Sequence, residues 1–181
     1  NSARRLGLKT GVRGKTVAIS LFELFKAGIG PSSSHTVGPM EAARRFASSL
    51  VDEGSLASVH RLKVSLYGSL GATGKGHGTG PAVMMGLEGE RPDQIDPEQM
   101  PARLEHIRTT GDLLLAGQHK VRFREASDIV YYRRKSLPDH PNGMVCQMFD
   151  RDGQCLAERT YYSIGGGFVV DASTEGTLKI H

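Results

Sequence analysis

Residues 144–163 read Met-Val-Cys-Gln-Met-Phe-Asp-Arg-Asp-Gly-Gln-Cys-Leu-Ala-Glu-Arg-Thr-Tyr-Tyr-Ser. Two strand-prone runs, Met144–Phe149 and Leu156–Ser163, flank Asp150-Arg151-Asp152-Gly153, which has the composition of a tight turn. The stretch predicts a β-hairpin, and Phe168–Val170 follows as a last strand after Gly165-Gly166-Gly167. Upstream, Arg61–Tyr67 alternates, with Leu62, Val64 and Leu66 on one face of a strand. Helical spacing dominates earlier still. Met40, Ala43, Ala47 and Leu50 share one face of a helix reaching about Val51, and Pro39 is tolerated in its first turn. Before it, Ser20 and Glu23 form a capping box for a helix that Gly28 stops. Pro81 can open a helix to about Leu87. Asp96-Pro97 is another helix start, Pro101 forces a break or restart, and Met100–Arg108 is helical by period. Lys120–Phe123 is a candidate strand, Asp128–Lys135 is ambiguous, and His140–Gly143 is a turn. Helices come early and a hairpin late, without regular βαβ alternation. The predicted class is therefore α+β: a two-layer sandwich of a mixed β-sheet with helices packed on one face.

The chain has 181 residues, enough for one ordinary domain. Residues 1–17 are basic and glycine-bearing and are expected to be a flexible extension ahead of a domain spanning 18–175. Lys plus Arg number 23 against 19 for Asp plus Glu, a net charge of +4 with the signs interspersed after residue 17. That balance gives no reason to expect a nucleic-acid partner. No apolar run approaches the roughly 20 residues of a membrane span, so no membrane partner is expected. Glycine is over-represented, 23 of 181, and clustered where a backbone can approach a ligand. The only two cysteines, Cys146 and Cys155, exclude a disulfide scaffold and a four-cysteine metal site built from this chain alone. They are expected either to pair across the hairpin or to lie buried in the sheet; cytoplasmic thiols are the default. The chain begins at Asn1 without methionine, which leaves open that the protein is longer.

Two clusters carry chemistry. In Gly30-Pro31-Ser32-Ser33-Ser34-His35-Thr36, three hydroxyls and an imidazole precede a helix N-terminus, whose free N–H groups and dipole suit a carboxylate or phosphate. One capping serine would need only one of those hydroxyls. In Gly68–Gly80, His77 lies between two glycines, flanked by Thr73, Lys75 and Thr79. The loop fails as a P-loop, because Ser69 stands at the first glycine and Gly76 at the magnesium-binding hydroxyl. It fails as a dinucleotide loop, because Thr79 takes the place of the third glycine. Either a solvent-facing turn histidine or one that meets substrate fits what remains. His140–Met144 reads alone as a hairpin entry turn, and Gly165–Gly167 as a close backbone approach or a flexible tip. There is no Gly-x-Ser-x-Gly elbow and no His-x-x-x-His zinc pair.

Taken together, Gly28–Met40, Leu66–Leu70, Thr73–Thr79, Asn142–Met144 and Tyr161–Phe168 closely resemble the β domain of bacterial iron–sulfur L-serine dehydratases. The likeness covers about residues 18–170. Gly80 stands where that family usually carries Asp, and Gly71 where it usually carries a small non-glycine residue. The first change removes a helix cap or a hydrogen bond that orders the histidine loop. The resemblance implies conversion of L-serine to pyruvate and ammonia with a [4Fe–4S] cluster and without pyridoxal phosphate. It implies that a separate α domain, absent from this chain, holds the cluster, either in the same polypeptide or as a second subunit. A homodimer is expected. By carry-over His77 is the candidate base and His35 the candidate for assisting the hydroxyl or holding the carboxylate. Ser32, Ser33, Ser34, Thr79 and Asn142 are candidate substrate-binding residues, and no metal ligand is expected in this chain. The fold implied is that of the allosteric substrate-binding domain of some phosphoglycerate dehydrogenases. A non-catalytic domain binding a small carboxylate is the alternative function.

Overall fold

The computed structural model describes residues 33–172. The basic extension, the capping box at Ser20–Glu23 and the front of the serine loop lie outside the described residues. Ser33–Val37 forms one π-helical turn that runs directly into helix α1, Gly38–Asp52. The serines and histidine expected in a rigid loop before a helix are thus partly inside helical backbone. Strand β1 is Arg61–Leu66, followed by the short helix α2, Ser69–Thr73, and a 3₁₀ turn, Gly74–His77. Helix α3 is Thr79–Leu87 and α4 is Met100–Thr110. Then come β2 Asp112–Leu115, β3 His119–Arg122, the single turn α5 Glu125–Asp128 and β4 Ile129–Tyr131. The chain closes with β5 Gly143–Phe149, β6 Cys155–Gly165 and β7 Phe168–Asp171.

The five-stranded sheet runs β4-β1-β5-β6-β7, with β1 and β4 parallel and every other pair antiparallel. It is mixed, as expected, and α1 packs against β5, β6 and β7. Along β5, Met144, Cys146 and Met148 are buried while Val145, Gln147 and Phe149 are half-buried, so the hairpin presents one face to the core. Met40, Ala43, Ala47 and Leu50 are fully buried, as their spacing requires, together with Phe46. Helix α3 is buried at all nine of its positions; a helix apolar on every side belongs inside. It lies along α1, and the contacts run in the same order on both helices. Thr79 touches His35, and Gly86 lies so close to Met40 that a Cβ there would stand 2.2 Å from the Met40 carbonyl oxygen. The two helices are therefore parallel, with their N-terminal ends side by side.

The structure corrects two expectations, the Gly68–Gly80 loop and the helix start at Asp96, and adds detail at two more places. Gly68–Gly80 is not an open glycine loop: α2 and the 3₁₀ turn fill it, because Leu70 and Gly74 are drawn into the core. The strand β2, unforeseen, pairs with β3 as a separate two-stranded ribbon. Asp96 starts no helix; α4 begins at Met100 and keeps Pro101 in its first turn, where a proline needs no hydrogen-bonded N–H, so there is no break. Of the two alternatives for the cysteines, pairing is not seen: both are free thiols, as the default has it, with Cys146 buried in β5 and Cys155 exposed at the start of β6. The ambiguous stretch after Asp128 resolves as β4. The glycine triplet is a tight turn with three consecutive positive φ angles, and a Cβ at Gly167 would meet Val37 at 3.0 Å.

Candidate active site

His35 and His77, on separate segments, come together with ring centroids 4.9 Å apart and planes tilted by 44°. Their surroundings differ. His35 is buried, and both ring nitrogens are engaged. Nδ1 lies 2.8 Å from the Ser34 hydroxyl; Nε2 lies 3.0 Å from that of Ser69 and 3.1 Å from that of Thr73. Thr73 gives its own proton to the Ser69 carbonyl. It must therefore accept from Nε2–H, and the neutral ring then takes the Ser34 proton at Nδ1. Burial first, and the neighbouring His77 second, push the His35 imidazole below the ordinary histidine value, partly offset by a bond to the Ser69 backbone. His35 is thus held as a neutral ring.

His77 is exposed. Its Nδ1 stands 2.8 Å from the Thr73 carbonyl, which can only accept, so Nδ1 carries the proton of the neutral ring. The lone pair is left on Nε2, which has no hydrogen-bond partner among the described residues. Gly78, next in the chain, adopts a left-handed conformation at the N-cap of α3. The backbones of the two histidines are tied to each other. Thr36 donates to the His77 carbonyl at 3.0 Å, and Thr79 donates to the His35 carbonyl. Both threonines are fully buried. Thr79, expected to meet substrate, instead spends its hydroxyl inside the protein.

Among the other expected site residues, Ser32 lies outside the described residues, and Ser33 is the first backbone residue of the π turn. Ser34 is half-buried; its carbonyl accepts from the Ser163 hydroxyl at 2.7 Å. Asn142 borders the same region from the other side. Its carbonyl accepts from Ser163 N–H at 3.0 Å, and the preceding Pro141 carbonyl accepts from Ser69 N–H at 2.8 Å. The side-chain oxygen of Asn142 is buried without a hydrogen-bond partner among the described residues. Ser69, Thr73, Thr36 and Ser163 all touch this site, yet the sequence reading singles out none of them for a role. Ser69 and Ser163 sit in the matched motifs, but nothing local shows which histidine or backbone they meet.

The two family departures have structural counterparts. A Cβ at Gly80 would stand 2.8 Å from the Tyr131 hydroxyl and 3.2 Å from a Glu125 carboxylate oxygen, so the place of an aspartate side chain is already taken. Burial, then Glu125, pushes the Tyr131 phenol up to about 12, keeping it neutral. A Cβ at Gly71 would fall 2.2 Å from the Tyr132 carbonyl oxygen.

The sequence model described as serine dehydratase beta chain matches residues 20–174. This chain belongs to the serine dehydratase beta chain family. Similar curated proteins include an L-serine dehydratase of Streptomyces coelicolor, 52% identical over 164 residues, covering 91% of this chain and 36% of that protein. L-serine dehydratase 1 of Escherichia coli is 47% identical over 154 residues, covering 84% of this chain and 34% of that protein. An L-serine dehydratase of Mycobacterium bovis is 45% identical over 165 residues, covering 91% and 36%. The chain spans about a third of the length of these relatives. A cleft of about 870 Å³ borders the histidine segment through Lys75 and Gly78, and one of about 570 Å³ lies beside His119 and Asp150; neither is lined by His35 or His77. No helix among the described residues is long and apolar enough to cross a membrane.

Proposed function

We propose that this chain supplies the proton-transfer face of an L-serine dehydratase, an enzyme that converts L-serine to pyruvate and ammonia. The reading rests on one observation above the others: an exposed imidazole whose Nδ1–H is pinned to the Thr73 carbonyl, which leaves the lone pair on Nε2 without a partner among the described residues. A base for the substrate Cα proton needs that tautomer and that access. Taking the proton at Nε2 while the β-hydroxyl departs leaves aminoacrylate, which hydrolyses to pyruvate and ammonia. His35, neutral and bonded on both sides, acts through its neighbours. Ser34 donates to His35 Nδ1 at 2.8 Å, which holds its hydroxyl beside the imidazole pair. The Asn142 side-chain oxygen is buried and has no hydrogen-bond partner among the described residues, so it is not open to substrate in this arrangement. The N-terminal ends of the Ser33–Val37 turn and of α3, lying side by side, favour a carboxylate nearby.

The described residues do not fit an iron–sulfur cluster. No three His, Cys, Asp or Glu side chains among them come together as metal ligands, and Cys146 is buried in the sheet. The cluster implied by the family resemblance is assigned to a second domain, and the steps above use side chains of this chain alone. A second domain laid over the exposed His77 would also exclude water from it. The alternative, a regulatory domain that binds a small carboxylate, has use for the serines but not for an exposed base. His77→Ala in the full-length protein separates the two. For the base, kcat falls about 10²–10⁴-fold with KM little changed. Unchanged turnover with full cluster content would remove His77 from that role.

A further inference from the structure

We infer that Thr36 and Thr79 are paired positioning residues that fix the two histidines relative to each other. Each threonine sits beside one histidine and bonds the other's backbone. Thr36 follows His35 and donates to the His77 carbonyl, while Thr79, two residues after His77, donates to the His35 carbonyl. Neither residue has any exposed surface, so neither hydroxyl reaches substrate. The two bonds cross between the Ser33–Val37 turn and the start of α3, where the parallel helices meet. Farther along, the close approach of Gly86 to Met40 holds the same helices together. One contact alone would let the helix ends pivot; the crossed pair at the histidines removes that freedom. It sets the 4.9 Å separation and 44° tilt of the two rings.

This inference rests on His77 being the base, so His77→Ala is measured beside the threonine variants in the full-length enzyme. Thr36→Val and Thr79→Val keep the shape and delete the donor; Thr36→Ser and Thr79→Ser keep the donor. Each valine variant is expected to lower kcat by about 10–100-fold with KM within about threefold, the loss that follows when a reacting group is misplaced by about 1 Å. Each serine variant is expected to stay within about threefold of wild type. The double valine variant should fall little below either single one, because one broken bond already frees the ends. A readout independent of turnover is the His77 tautomer, followed by long-range ¹H–¹⁵N spectra of the apoprotein. It should be Nδ1–H in wild type and the serine variants, and mixed in the valine variants. Serine variants as slow as valine variants, or valine variants with unchanged kcat and an unchanged His77 tautomer, would overturn the latch. If His77→Ala itself retains full turnover, the base assignment fails while the tautomer measurement still judges the latch. Should the valine variants fail to fold, the serine pair and its spectra still decide.

Discussion

Replacing Gly86 with alanine tests the helix pairing on which the site depends. A Cβ at residue 86 would lie 2.2 Å from the Met40 carbonyl oxygen and 2.9 Å from the Ala43 side chain, against 3.4 Å for ordinary contact. The first obstacle is backbone, so α1 and α3 would have to part by about 1 Å at that point. Overpacking of this kind costs about 3 kcal/mol at the upper end of its common range. Alanine's better helix propensity returns about 1 kcal/mol. The net expectation is a loss of about 2 kcal/mol, or roughly 4–8 °C in Tm for a domain of this size. Gly76→Ala is the control: no heavy atom lies within 4 Å of its Cβ position and its φ is not in the left-handed region. It should be neutral or stabilising by up to about 1 kcal/mol through the unfolded chain. Thermal and urea melts followed by circular dichroism measure both. A Gly86→Ala chain that melts at or above wild type would refute the close parallel packing, and with it the reason the two helix starts meet.

Two further outcomes are expected. The His35 imidazole has a folded pKa below its unfolded value, so the folded state binds fewer protons there. Its contribution to stability is complete above the ordinary value of 6.5 and is lost as pH falls through the folded value. The difference in unfolding free energy between wild type and His35→Gln should therefore shrink on acidification from pH 7.5 to 5; a difference that grows would place the charged form in the folded state. For the thiols, burial pushes Cys146 far up while Cys155 is exposed. Ellman's reagent should titrate one thiol in the native chain and two in denaturant; two fast native thiols would be incompatible with the β5 register.

Much of the architecture can be read locally. The Met144–Ser163 hairpin, the alternation of β1 and the Met40–Leu50 face of α1 each follow from a short pattern, because neighbouring residues alone decide which side of a strand or helix is apolar. The motif runs around His35 and His77 likewise suffice to place the chain in its family. Local pattern misreads Gly68–Gly80, whose glycines favour a loop. Burial of Leu70 and Gly74 outweighs that preference and winds the segment into helical turns. Nor does local pattern show that the Thr79 hydroxyl crosses to another segment and donates to the His35 carbonyl. Sequence supplies two histidines with the same formal chemistry. Tertiary structure makes them different: one is buried, neutral and bonded at both nitrogens, and the other is exposed with one nitrogen pinned. Burial and hydrogen-bond partners brought from distant segments set those states, and no spacing along the chain encodes them.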